Sequence, residues 1–128
     1  MVETPCLLDT STMLLALASP DRLSTRARKA IRSRPLILSV VTYWEVVIKS
    51  RKGLLQMADP VTWWERATQA LAGTILSIRA GHVSALSGLP AFHKDPFDRM
   101  LLAQAAAEGL TLVTSDSNMR RYPVETLW

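Results

Sequence analysis

The sequence predicts an α/β fold of three layers, α/β/α, with helices on both faces of a central, mostly parallel sheet. Three observations carry this. Short apolar runs of strand length alternate with longer segments of helical period. The helical segments are bracketed by cap and stop residues. No repeat, low-complexity tract or linker interrupts the 128 residues, so residues 1–128 form a single domain. Strands separated by helices imply parallel pairing.

The first strand is Cys6 to Asp9, short and apolar. A helix opened by Ser11 or Thr12 carries Leu14, Leu15 and Leu17 and is broken by Ser19-Pro20-Asp21. A second helix from Arg22 to Arg32 has Leu23, Ala27 and Ile31 as its apolar stripe and basic residues elsewhere. Leu36 to Val40 is a buried strand. Thr42 opens a helix that runs to Lys52 and stops at Gly53. Asp59-Pro60 starts another, with Trp63, Trp64, Ala67 and Leu71, ending at Gly73. Trp63 and Trp64 are adjacent, so one helix face cannot bury both; core packing is the default, and a part-exposed indole suits a protein interface. Thr74 to Ile78 is a third strand, followed by a short helix from His82 to Ser87. Asp95-Pro96 starts a helix that runs to Glu108 and stops at Gly109. Leu110 to Thr114 is a fourth strand and Val124 to Leu127 a fifth.

Composition excludes several classes. One cysteine, Cys6, allows no internal disulfide and fits a reducing, cytoplasmic location. With only His82 and His93 to join it, a zinc site lacks ligands. The leucine-rich segment Met1 to Ala18 has no basic flank, and Glu3 and Asp9 interrupt it, which argues against a secretory signal. No apolar run approaches a membrane span. The net charge of +4 favours polyanionic partners. Arg22, Arg26, Arg28, Lys29, Arg32 and Arg34 crowd one segment, and Lys49, Arg51 and Lys52 another. The first cluster reads as a solvated helix face, with contact to an RNA backbone as the alternative.

In parallel sheets, ligands gather beyond the carboxyl ends of the strands. Asp9 ends the first strand, Glu45 lies one turn into the helix after the second, and Asp116 follows the fourth. Asp98 lies in the first turn of the preceding helix, on the same face as Leu101, Leu102 and Ala105. Each has a structural explanation as well. Asp9 and Asp116 fit helix N-caps, Thr42 and Glu45 fit a capping box, and Lys49 can pair with Glu45 at i+4. Asp98 on a core-facing stripe is the hardest to explain away, because a buried carboxylate needs a partner. Two carboxylates ~5 Å apart repel by roughly 3 kcal/mol at an effective dielectric of about 20. Protons or a cation must relieve that, and oxygen ligands without His or Cys suit Mg²⁺ or Mn²⁺.

Four motifs resemble the PIN-domain nucleases: Leu7-Leu8-Asp9-Thr10-Ser11, the segment from Ser39 to Glu45-Val46, His93-Lys94-Asp95-Pro96-Phe97-Asp98-Arg99, and Leu112-Val113-Thr114-Ser115-Asp116. Their order and spacing cover nearly the whole chain, whose length resembles that of VapC-type toxins of toxin–antitoxin pairs. The resemblance implies an endoribonuclease dependent on Mg²⁺ or Mn²⁺, hydrolysis leaving a 5′-phosphate, a homodimer, and a small antitoxin that covers the active site. Carried over by position, Asp9, Glu45 and Asp98 match the main acids and Asp116 the more variable fourth. Asp95 is either a further ligand or, by preference, the cap of its helix. Thr10, Ser11 and Ser115 are candidates for hydrogen bonding to a bound water or a carboxylate, with simple capping as their alternative. His93 and Arg99 are candidates for phosphate contact, with loop capping and pairing to Asp95 as their alternatives.

Competing readings are weaker. A phosphatase-like or receiver-type protein requires a second acid close to Asp9 and a Lys ending a late strand, and both are missing. No Gly-rich phosphate loop is present. A PIN-like binding module without catalysis, and a nuclease acting on DNA, remain as alternatives.

Overall fold

A computed structural model describes residues 3–128; Met1 and Val2, which open the leucine-rich segment, lie outside the described residues. The five strands are β1 (Cys6–Leu8), β2 (Leu36–Ser39), β3 (Thr74–Leu76), β4 (Thr111–Val113) and β5 (Thr126–Leu127). They form one sheet in the order β3-β2-β1-β4-β5, and every neighbouring pair is parallel. The helices are α1 (Thr10–Ala18), α2 (Thr25–Ser33), α3 (Val40–Arg51), α4 (Pro60–Leu71), α5 (Ala80–Ser87) and α6 (Pro96–Glu108).

The period of two in β1 separates the layers. Cys6 and Leu8 face a core with Met13, Ala27, Ala30, Leu38, Trp64 and Ala67, which places α1, α2 and α4 on that side. Leu7 faces the opposite core, with Val41, Leu101, Leu102, Ala105, Leu112 and Met119, where α6 packs. This is the predicted three-layer arrangement, with a sheet that is parallel throughout.

Several boundaries move, each for a local reason. Asp9 caps α1, which therefore starts at Thr10 and not at Ser11 or Thr12. Residues Pro20–Arg22 form a 3-10 turn, and Ser24 caps α2, so that helix starts at Thr25 and Leu23 is buried outside it. Ser39 caps α3, so the helix starts two residues ahead of the predicted position. The helix α4 ends with Ala72 in the left-handed region (φ 52°) rather than at Gly73. Gly73 instead makes room for a close approach of the chain to β2, since a Cβ there would lie 2.6 Å from the Leu38 side chain. All five strands are shorter than predicted, β1 and β2 by one residue each.

Trp64 is buried and stacks on Tyr43 at 5.0 Å, while Trp63 is half-buried and lines a cleft of about 390 Å³ with Leu17, Thr62, Arg66 and Ala70. A polar chain, buried from Ser39 through Gln104 to His82 and ending at the exposed Glu108, ties the start of α3 to α5 and α6. Ser39 Oγ donates to Gln104 Oε1 at 2.5 Å, Gln104 Nε2 lies 3.3 Å from His82 Nδ1, and His82 Nε2 lies 2.8 Å from Glu108 Oε2. Among the described residues no helix is long and apolar enough to cross a membrane.

Candidate active site

The strand order reverses between β1 and its two neighbours, so the carboxyl ends of β1 and β4 border a topological switch point. Asp9 stands at the end of β1. It is 5% exposed; its Oδ1 accepts from the Thr12 amide at 2.8 Å and its Oδ2 from Thr114 Oγ1 at 2.6 Å. Burial pushes its pKa up against these hydrogen bonds, and the nearby charge of Asp116 adds to the rise. Thr114, the residue after β4, also accepts from the Asp116 amide at 3.1 Å, so one hydroxyl joins the two acidic loops. Asp116 accepts from the Asn118 amide at 2.8 Å, capping the turn that follows.

Glu45 lies in the second turn of α3, too far along for the predicted capping box with Thr42, because the helix begins at Val40. It is 3% exposed and held at both oxygens: Thr10 Oγ1 donates to Oε1 at 2.6 Å and Lys49 Nζ to Oε2 at 2.5 Å. The Thr10 hydroxyl proton is thereby used, so Thr42 donates to Thr10 across their 3.2 Å contact. The bond to Glu45 raises the pKa of Lys49, and the charges of Asp95 and Asp98 add to it. Lys49 is the cation now standing among these acids.

Asp98 sits in the first turn of α6, half-buried, with Oδ2 3.3 Å from His93 Nε2. Burial, then the charge of Asp95, push its pKa up to about 6; Glu45 and Asp116 contribute, and the His93 contact opposes. Asp95 Oδ1 accepts from the amides of Phe97 at 2.9 Å and Asp98 at 3.0 Å, the cap geometry that Asp-Pro predicts.

The remaining candidates divide. Thr10 reaches the acids, whereas Ser115 is exposed, and the neighbouring Thr114 makes the contact expected of it. His93 faces Asp98. Arg99 does not pair with Asp95: its Nη1 donates to Pro90 O at 2.6 Å and to the Tyr122 hydroxyl at 3.0 Å. Reasoning from sequence assigns Lys49 only a pairing role and Thr42 only a capping one, and gives no role at the site to Thr114 or Tyr122. Thr114 carries a signal, since it ends β4 beside Asp116; Tyr122 carries none.

Asp9, Glu45, Asp98 and Asp116 thus lie within reach of one another's charge, and two of them have raised pKa values. Among the described residues, no three acidic, His or Cys side chains close around a single ion. The donor chemistry nonetheless fits a hard divalent cation: the acids are oxygen donors, they repel one another, and one monovalent ammonium offsets them.

A parallel α/β chain with an acidic rim at its switch point defines a class of protein, and comparison gives the class its name. The PIN domain family profile matches residues 6–125. This chain belongs to the PIN domain family. It is 31% identical to Ribonuclease VapC22 of Mycobacterium tuberculosis, over 98% of this chain and 99% of that protein. Its fold is similar to that in VapBC2 from Rickettsia felis bound to a DNA fragment from the promoter, with a TM-score of 0.70 at 15% identity, covering 96% of this chain and 97% of that one. It is also similar to DNA-bound VapBC from Salmonella typhimurium (TM-score 0.69, 17% identity, 99% and 98% covered) and to FitAcB from Neisseria gonorrhoeae (TM-score 0.66, 18% identity, 96% of each chain).

Proposed function

We propose that this chain is an endoribonuclease dependent on Mg²⁺ or Mn²⁺, the toxin of a toxin–antitoxin pair, acting in the cytoplasm as a homodimer and held inactive by a small antitoxin. The observation that carries the reading is the acidic rim on a PIN fold whose similarity to a protein named as a ribonuclease runs end to end. The similarity of the fold to chains in toxin–antitoxin complexes supports the partner.

Asp9, Glu45, Asp98 and Asp116 would hold the ion, Asp116 being the more variable member of the set. When bound, the ion supplies an activated water and offsets charge on the phosphodiester during in-line attack. The chain's own residues prepare that step. Thr12 and Thr114 fix the Asp9 carboxylate, and Thr10, itself backed by Thr42, fixes one Glu45 oxygen. Lys49 must release the other oxygen. Its side chain is 40% exposed, so the freed ammonium stays in solvent beside the substrate's phosphates. Basic residues on α2 and around Lys52 draw the polyanion to the surface.

The test is incubation of purified, partner-free protein with a mixed RNA pool and with single-stranded DNA, in Mg²⁺, Mn²⁺ or EDTA, beside Asp9→Asn. Metal-dependent cleavage of RNA by wild type alone is expected. Cleavage of DNA alone reassigns the substrate. Mn²⁺ binding with no cleavage of either polymer makes the chain a binding module. Equal cleavage by wild type and variant overturns the site.

A further inference from the structure

Tyr122 stands outside every motif named above, yet its hydroxyl is the most crowded hydrogen-bonding centre near the acids. The backbone amides of Phe92 and His93 each donate to it at 3.2 Å, and Arg99 Nη1 donates at 3.0 Å. Three donors leave a phenol oxygen no acceptor capacity, so its own proton must go elsewhere. The nearest acceptor is His93 Nδ1, at 2.8 Å. With Nδ1 accepting, His93 carries its proton on Nε2, the nitrogen that faces Asp98 Oδ2 at 3.3 Å. Among the described residues, Asp98 Oδ1 then accepts from no protein donor. The Tyr122 ring is 4% exposed and packs edge-on against Phe92 (5.0 Å) and His93 (5.5 Å), so the arrangement is fixed by packing as well as by hydrogen bonds. It is delivered by the 3-10 turn Met119–Arg121, which follows the Asp116 loop.

We propose that Tyr122 is a positioning residue of this site: its hydroxyl sets the tautomer of His93, and His93 in turn orients the Asp98 carboxylate with one oxygen turned free for a divalent cation. Arg99 belongs to the same clasp, holding Tyr122 against the Pro90 carbonyl. The proposal rests on Asp98 being a metal ligand, as the proposed nuclease function requires. Ligating carboxylates and their hydrogen-bonding supports act together, and loss of a support typically weakens metal binding roughly 10- to 100-fold.

Two measurements on the full chain test it. The ¹⁵N shifts of the imidazole should report His93 with its proton on Nε2 in wild type and lose that signature in Tyr122→Phe. Titration with Mn²⁺ alone, followed by electron paramagnetic resonance, should show about tenfold weaker binding in Tyr122→Phe. His93→Ala should weaken binding at least as much, and the double variant no further than His93→Ala. Unchanged Mn²⁺ affinity in Tyr122→Phe, or losses that multiply in the double variant, overturns the proposal. Where Tyr122→Phe does not fold, a wild-type His93 protonated on Nδ1 overturns it equally. Equal Mn²⁺ binding by wild type and Asp98→Asn removes the metal-site reading and the proposal with it. That outcome differs from failure of the clasp alone, in which Asp98→Asn loses Mn²⁺ and Tyr122→Phe keeps it.

Discussion

Asp98 shows how one residue bears on both stability and chemistry. Its pKa is raised to about 6 in the folded chain, chiefly by burial and by Asp95. A carboxyl whose folded pKa exceeds its unfolded value favours the fold most when protonated. The contribution is complete below about pH 4 and is lost as the pH rises through 6. Through this group, metal-free protein should unfold at a higher temperature at pH 5 than at pH 8. Asp98→Asn should raise the melting temperature at pH 8, by roughly 1–3 kcal/mol of stability, and abolish cleavage, while changing stability little at pH 4. Calorimetry at the two pH values checks this; a variant no more stable at pH 8 would remove the repulsion argument. Lys49→Met gives the complementary case. Glu45 would keep Thr10 but lose its cation, so metal-free stability should fall by about 1–2 kcal/mol, less than for a fully buried pair because the ammonium is part-solvated. Added Mn²⁺ should then raise the melting temperature more in Lys49→Met than in wild type, since no ammonium has to be displaced.

At the scale of elements, much of the fold was legible in the sequence because caps and stops are local. Asp59-Pro60, Asp95-Pro96 and Gly109 each stand at a helix boundary, and the Asp95 side chain caps α6 as its place before Pro96 predicts. The misread boundaries involve residues that can cap a helix at more than one position. Thr42 and Glu45 have capping-box spacing, but Ser39, two positions upstream of Val41, takes the role, because it is also bound to Gln104 from α6. That partner lies 65 residues away and leaves no trace in a local pattern. The same limit explains the site. Asp9 and Asp116 were visible because they follow strands, Asp98 because it opens a helix, and Glu45 because it is the one acid on the helix after β2, whereas Thr114 over Ser115, and Tyr122, depend on side-chain direction and on contacts distant in sequence. Ser39→Ala should test this element-level tie. It removes the α3 cap and leaves Gln104 Oε1 without its donor, so a loss of about 1–3 kcal/mol is expected in denaturant unfolding. A loss within a few tenths would mean that α3 is held by its apolar contacts alone.

For the molecule as a whole, the lone thiol offers a direct probe. Cys6 is fully buried in β1, the central strand, and burial pushes its pKa up. Thiol labelling should proceed only as fast as global unfolding, and should slow further when Mn²⁺ binds the folded state; labelling that outpaces unfolding would show β1 opening by itself. The central position of β1 has a consequence in time. This strand is made before its partners: β2 follows some thirty residues on, and β4 after about a hundred, as the 105-residue separation of Asp9 and Thr114 measures. A growing chain holds Asp9 long before it holds the hydroxyl that orients it. Any activity of the rim is therefore withheld from the growing chain until β4 has been made and the acids have come into register.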